Sequence, residues 1–238
     1  MRLARLDIER QLGLAQEAAD DCAKLPADLN WQDYTQMFGA GQWAILHGDI
    51  EHALQWYTRA MELRPDIDAG WSHTADVLAY LGKTEEYQAL CRRMWEKFAA
   101  TSMVDEAAKH SMLMPDPEHQ IQIAGQYQKL RTPRKAELDV GKAILAGAAE
   151  YRTGNFQAAI DRMSVTLRIS NCLSERVTAH AFIAMAHHQL GHRIEAEESL
   201  LRTSALPRLG EDPRGETPGR LLTALVVVRE AEAMIHGK

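Results

Sequence analysis

An all-α fold of repeated helix pairs is predicted by three features of this 238-residue chain. Apolar residues recur at spacings of three and four, as in Leu54, Tyr57, Met61 and in Ile160, Met163, Leu167, the period of a helix with one buried face. Strict apolar/polar alternation, the mark of a half-buried strand, is hard to find anywhere. Finally, YRTGNFQAAI (151–160) repeats the punctuation of LHGDIEHAL (46–54): a glycine, a small polar residue, and an alanine five positions after the glycine. About twelve helices and no strands are expected.

The glycines set a register. Gly48, Gly82, Gly154 and Gly191 are separated by 34, 72 and 37 residues, the middle interval being close to two periods. Each is expected to end one helix in the left-handed conformation that other L-residues resist, with a second helix following after a short turn.

In chain order, residues 1–33 contain a leading helix, about 3–24, with no partner in register; it is a cap or the remnant of an upstream unit. The unit at 34–67 places Gly41, Gly48, Ala53, Tyr57, Ala60 and Pro65 at positions eight, fifteen, twenty, twenty-four, twenty-seven and thirty-two. Asp49 is expected to cap its second helix. The unit at 68–101 carries Trp71, Leu78 and Gly82, departs at position twenty with Tyr87, puts Cys91 at a packing position, and offers Thr84 as the cap. Residues 102–139 read as a degenerate unit, VDEAAKHSMLM followed by PEHQIQIAGQYQKL, the second helix starting at Asp116-Pro117. The unit at 140–173 has Gly147, Gly154 and Ala159, with Asn155 as cap. The unit at 177–210 has Ala184, Gly191, Ala196, Leu200 and Pro207. Positions eight and twenty are expected to face each other where the two helices of a unit cross. Residues 206–220 are dense in proline, glycine and charge, hence a loop. The terminal helix, RLLTALVVVREAEAMI within 217–236, starts at Thr217-Pro218. It is expected to cover the exposed face of the last unit, its VVV run leaving dimerisation through this helix as the alternative.

These units resemble the tetratricopeptide repeat (TPR), a helix–turn–helix of about 34 residues, over four clear copies. The resemblance implies a right-handed α-solenoid of antiparallel helix pairs whose first helices line a concave groove for a peptide or protein segment. Carried residue by residue, its groove positions fall on Phe38, Gln42 and Ile45, then Ser72, Asp76 and Tyr80, then Tyr151 and Arg152, and last Met185, His188 and Gln189. The lysine/asparagine clamp that some TPR domains close on a terminal carboxylate is missing; Gln42, Ser72 and Asp76 stand in comparable places. The stretches LAGAAEYRTGNFQAAID, AFIAMAHHQLGHRIEAEESL and REAEAMI resemble, more narrowly, the C-terminal TPR region of large bacterial proteins that also carry a serine/threonine kinase or a WD40 propeller. No kinase loop, HRD, DFG or WD repeat is present. A regulatory portion of such a signalling protein is therefore the alternative function.

Composition narrows the classes. The chain is 46% hydrophobic and 25% charged, with a formal charge of −6 and a pI near 5.9; no basic run suggests nucleic-acid binding. No apolar run approaches the roughly 18 residues of a membrane helix, and MRLARLDIERQLG has no signal-like apolar core. Cys22, Cys91 and Cys172 are scattered, which points to reduced thiols and a cytoplasmic location rather than a disulfide or zinc framework.

The tempting chemistry is His187, His188 and His192, with His180 upstream. His188 and His192 are four apart, but Gly191 between them is expected to end the helix, and the glutamate of HExxH is absent. A metal-dependent enzyme built on this cluster is the least favoured reading. Gly39 and Gly41 lack the strand and GK[ST] of a nucleotide loop. Glu85, Glu86, Glu195, Glu197 and Glu198 fall in first turns of second helices, where carboxylates complement the helix dipole. Trp31, Trp43, Trp56, Trp71 and Trp95 lack basic interleaving and read as packing residues. The sequence thus predicts a non-enzymatic protein–protein interaction module, with no catalytic residue, metal or cofactor.

Overall fold

The computed structural model describes residues 29–116, 119–130, 139–206 and 217–237. The leading helix, Cys22, Pro117, Pro207 and most of the expected loop lie outside them. Among the described residues there are eleven α-helices, one 3₁₀ turn (Arg202–Ala205) and no strand. In chain order they are α1 (Tyr34–Leu46), α2 (Ile50–Leu63), α3 (Asp68–Tyr80), α4 (Thr84–Phe98), α5 (Val104–Ser111), α6 (Gln120–Leu130), α7 (Val140–Arg152), α8 (Phe156–Ile169), α9 (Leu173–Gln189), α10 (Arg193–Leu201) and α11 (Pro218–His236). No helix among the described residues is long and apolar enough to cross a membrane.

The four elbow glycines do the same job four times. Gly48, Gly82, Gly154 and Gly191 have φ of +77°, +69°, +82° and +79°. At each, the following residue donates its N–H back across the helix end: Asp49 to Ala44 O, Lys83 to Leu78 O, Asn155 to Glu150 O and His192 to His187 O, at 2.9–3.0 Å. This six-to-one bond satisfies a carbonyl that the helix leaves orphaned, and it requires the left-handed residue before it. The N-cap is then the residue right after the glycine. Asp49 fills it and accepts from His52 N. Thr84, two residues past Gly82, lies inside its helix, so Lys83 holds the cap position without a side-chain bond. Asn155 holds the cap position but turns its amide back to Glu150 and Thr153. At α11, Pro218 starts the helix and Thr217 makes no side-chain cap bond.

The small residues at position eight make room for position twenty-four. A Cβ at Gly41 would meet the Tyr57 ring at 2.6 Å, and one at Gly147 would meet Met163 at 2.8 Å. That is the close approach observed at these glycines, in place of the expected eight-to-twenty contact. Ala53, Ala159 and Ala196 are buried at position twenty nonetheless. Trp43, Trp56 and Trp71 are buried, Trp71 donating to Pro65 O, and Trp95 donates to Gln126; Trp31 is half-exposed. Cys91 is buried, as a packing position demands.

Consecutive helices pack on one another from α1 through α10, and the odd-numbered helices α3, α5, α7 and α9 also touch in sequence, forming one row. α11 lies against this row: it packs on α9 most extensively, then on α3, and reaches α10 and α1. The expected cover for the last unit is thus corrected. α11 does pack on that unit's first helix, but Ile194 and Leu201 on α10 remain 73% and 75% exposed. The helix instead buries Leu221, Leu222, Val226 and Val227 against the row, which takes their apolar surface out of water. Its VVV run is therefore engaged within the chain, with Val226 and Val227 buried and Val228 packed at the margin of the core. Two cores result: a large one from Met61 to Ala231, and a smaller one in which Leu222 joins Met37, Ile45, Trp56, Tyr57 and Val77.

Candidate functional site

The row formed by α3, α5, α7 and α9, extended by α1, presents two contiguous environments to α11: an aromatic, apolar cleft and a polar cavity. Tyr151 and Arg152 end α7 beside Phe182 of α9, because the helical period puts both residues of α7 near the seam before Gly154 ends it. The Arg152 side chain is almost fully buried, and four hydrogen bonds hold its guanidinium. Nε donates to Met112 O at 3.1 Å and Nη2 to Leu113 O at 3.0 Å. Both terminal nitrogens reach Glu230 of α11, Nη2 to Oε2 at 2.6 Å, in a bidentate fork. The Tyr151 and Phe182 ring centroids lie 5.3 and 5.6 Å from the guanidinium carbon. Tyr151 itself donates to Met234 Sδ at 3.5 Å, and burial, helped by Glu230, pushes its phenol up to about 12.

Towards α3, Arg229 of α11 donates to Tyr80 O at 2.8 Å and stacks its guanidinium 4.0 Å over the Tyr80 ring. Gln189 donates to Met234 Sδ at 3.5 Å. Four of the expected groove residues, Tyr80, Tyr151, Arg152 and Gln189, are therefore brought together, and what they touch is the chain's own terminal helix.

The remaining candidates divide. Ile45 and Met185 are buried in the cores and offer no surface; that corrects their assignment to an open groove, since the inward face of a first helix is closed by α11 and its neighbours. Phe38 stacks on Tyr34 and meets His73 edge-on at 4.9 Å. Gln42 and His188 are half-buried and stand apart from these contacts. Ser72 and Asp76, 3% and 1% exposed, border the cavity.

The cavity, about 560 Å³, lies between the first turns of α3, α7, α9 and α11, with α5 at its side. On its wall His110 of α5 is held between two carboxylates. Nδ1 lies 2.6 Å from Asp76 Oδ1 and Nε2 lies 3.4 Å from Glu106 Oε2. Ionised carboxylates only accept, so pairing with both favours the imidazolium, which carries a proton on each ring nitrogen. Burial would lower the imidazole pKa, but Asp76 and then Glu106 outweigh it and hold it above its ordinary value. The bond from His110, reinforced by Lys109, holds the Glu106 carboxyl well below the usual range. His73, also buried, is shifted the other way by desolvation. Sequence reasoning missed this network; the Glu106–His110 spacing of four on VDEAAKHSMLM was its signal.

Burial pushes the Cys91 thiol up to about 12, which leaves no thiolate to attack. Among the described residues no three His, Cys, Asp or Glu side chains converge where a metal ion fits. Of the histidine cluster, His187 and His192 bring ring nitrogens within 3.2 Å across the elbow, while α9 ends before Gly191 and separates His188 from His192. No family model matches this sequence, and no curated protein is similar to it.

Proposed function

We propose that this chain is a non-enzymatic protein–protein interaction module of TPR type, a solenoid whose concave face receives an amphipathic helical segment of a cytoplasmic partner. The observation that carries this reading is α11 itself. A 19-residue helix lies against α9, α3 and α1, presenting an apolar stripe, an acid to Arg152 and a cation to Tyr80. Helix-in-groove recognition uses this grammar of apolar anchors at helical spacing with flanking charges. In the free chain the segment is supplied in cis, and a partner helix of the same pattern competes with it.

A fluorescent peptide of residues 217–237 tests this against the full-length chain and against a variant whose own helix is weakened by Arg229→Ala and Glu230→Ala. Fluorescence anisotropy is expected to show weak binding to the wild type and at least tenfold tighter binding to the variant. Adding Tyr80→Ala and Arg152→Ala to the variant is expected to abolish it. A peptide bound by neither protein, with both folded by circular dichroism, overturns the reading. A lysate protein captured by the variant and released by the peptide identifies the partner.

A further inference from the structure

The polar cavity is a separate feature from the helix cleft and carries its own inference. Its carboxylates can be accounted for one at a time. Glu106 is taken by His110 and Lys109. Glu175 accepts from the Ser170 hydroxyl at 2.6 Å and pairs with Arg220 of α11 at 3.4 Å. Asp139 caps α7 through Lys142 N. Asp76 spends Oδ1 on His110, whereas Oδ2, buried, has no hydrogen-bond partner among the described residues. One turn earlier on the same face of α3, the buried Ser72 Oγ has none either. A buried acceptor left unpaired costs about 1–3 kcal/mol, more when charged, so two such groups bordering one cavity point to a donor that occupies it.

Charge decides what kind of donor. Five carboxylates border the cavity, against Lys109, Arg220 and the protonated His110. An anion would seek the positive helix ends. Those of α3, α7 and α9 already carry the chain's own Asp68, Asp139 and Glu175. The volume is in the range of small-molecule sites, roughly 300–1,000 Å³, and α11 walls it with Thr217, Gly219, Arg220 and Thr223. Gly219 lets the backbone come close: a Cβ there would be 3.0 Å from His73 Nε2 and 3.5 Å from Asp76 Oδ2.

We propose that this cavity binds a small organic cation whose ammonium or guanidinium group donates to Asp76 Oδ2 and Ser72 Oγ. Because one wall is the first turns of α11, the bound cation also ties that helix to α3.

Isothermal titration calorimetry on the full-length chain, at constant ionic strength, tests the site with methylammonium, 1,4-diaminobutane and guanidinium as probes. Butane-1,4-diol and succinate serve as neutral and anionic controls. Saturable one-to-one binding of at least one cation is expected, weakened at least tenfold by Asp76→Asn, with neither control binding. Gly141→Phe is the second variant, kept because Asp76→Asn disturbs the His110 pair. Gly141 borders the cavity, and a Cβ there meets only Asp139 Oδ1, at 3.4 Å, so the ring fills the space and is expected to abolish binding. No saturable binding by any of the three cations overturns the proposal. So does cation binding that survives both variants, or equal binding of the diol or of succinate. The peptide assay on the cleft is read separately, so either proposal can fail alone.

Discussion

Along α11, Glu230 and Met234 meet Arg152 and Tyr151, whereas Thr217, Gly219, Arg220 and Thr223 border a polar cavity. Both stretches belong to one helix and meet the same row. The first has settled its buried charges into a bidentate pair. The second leaves Asp76 and Ser72 with unmet hydrogen-bonding capacity. The difference separates what holds the helix in place from what is free to receive something else. Buried apolar area and a fully bonded ion pair anchor; an incompletely satisfied polar wall binds.

The sharpest way to break the anchored half is Arg152→Ala. It leaves Glu230 facing an apolar surround, and removing one partner of a buried pair costs about 3–5 kcal/mol. Urea denaturation followed by circular dichroism is expected to show that loss in the midpoint. Arg152→Met combined with Glu230→Leu should recover most of it, because no charge is then left unpaired. A single substitution as mild as the double would place Arg152 outside the anchor.

A smaller contrast sharpens the comparison directly. Val227→Ala removes a fully buried side chain's methyl groups and is expected to destabilise by roughly 2 kcal/mol, from lost transfer energy and a residual cavity. Thr223→Ser on the cavity side deletes one methyl from a half-buried residue and is expected to stay within about 0.5 kcal/mol. Equal effects in thermal or urea melts would erase the distinction between the two halves.

The smallest effect is the pH-dependent part of the His110 network. His110 has a raised folded pKa, so its stabilisation is complete below the ordinary value of 6.5 and is lost as pH rises through the folded value. Glu106 has a lowered folded pKa; its stabilisation is complete above the ordinary 4.5 and is lost as pH falls. The stability difference between wild type and His110→Gln is therefore expected to peak between about pH 4.5 and 6.5 and to shrink on both sides. His73, lowered chiefly by burial and in lesser part by His110 itself, enters the difference only through that lesser part. Urea midpoints measured from pH 4 to pH 9 check this, and a flat difference would show that His110 is not held as a cation.

Much of the fold was legible because its determinants are local. A helical apolar period needs only neighbours three and four residues away, and a glycine at an elbow is required by its own backbone conformation. Hence the helices, α5 and α6 among them, and the elbows at Gly48, Gly82, Gly154 and Gly191 could be read from the chain. Tyr80, Tyr151, Arg152 and Gln189, which the resemblance assigned to a groove, all meet α11 in the structure. What could not be read was which segment meets that surface. Ile45 and Met185 carry the same pattern as groove residues, yet lie in the cores, because the side that closes over them is contributed from elsewhere.

The sequence by itself determined the helices, their turns and their apolar faces, since short-range sterics and the 3.6-residue period specify them. Only the tertiary structure decided that α11 crosses the row rather than capping its end, and with it the burial of Arg152 and the walls of the cavity. Those contacts join residues far apart in the chain, Arg152 with Glu230 across 78 positions and Tyr80 with Arg229 across 149. No local propensity encodes such pairings; they are fixed by which packing removes the most apolar surface from water while leaving buried charges paired.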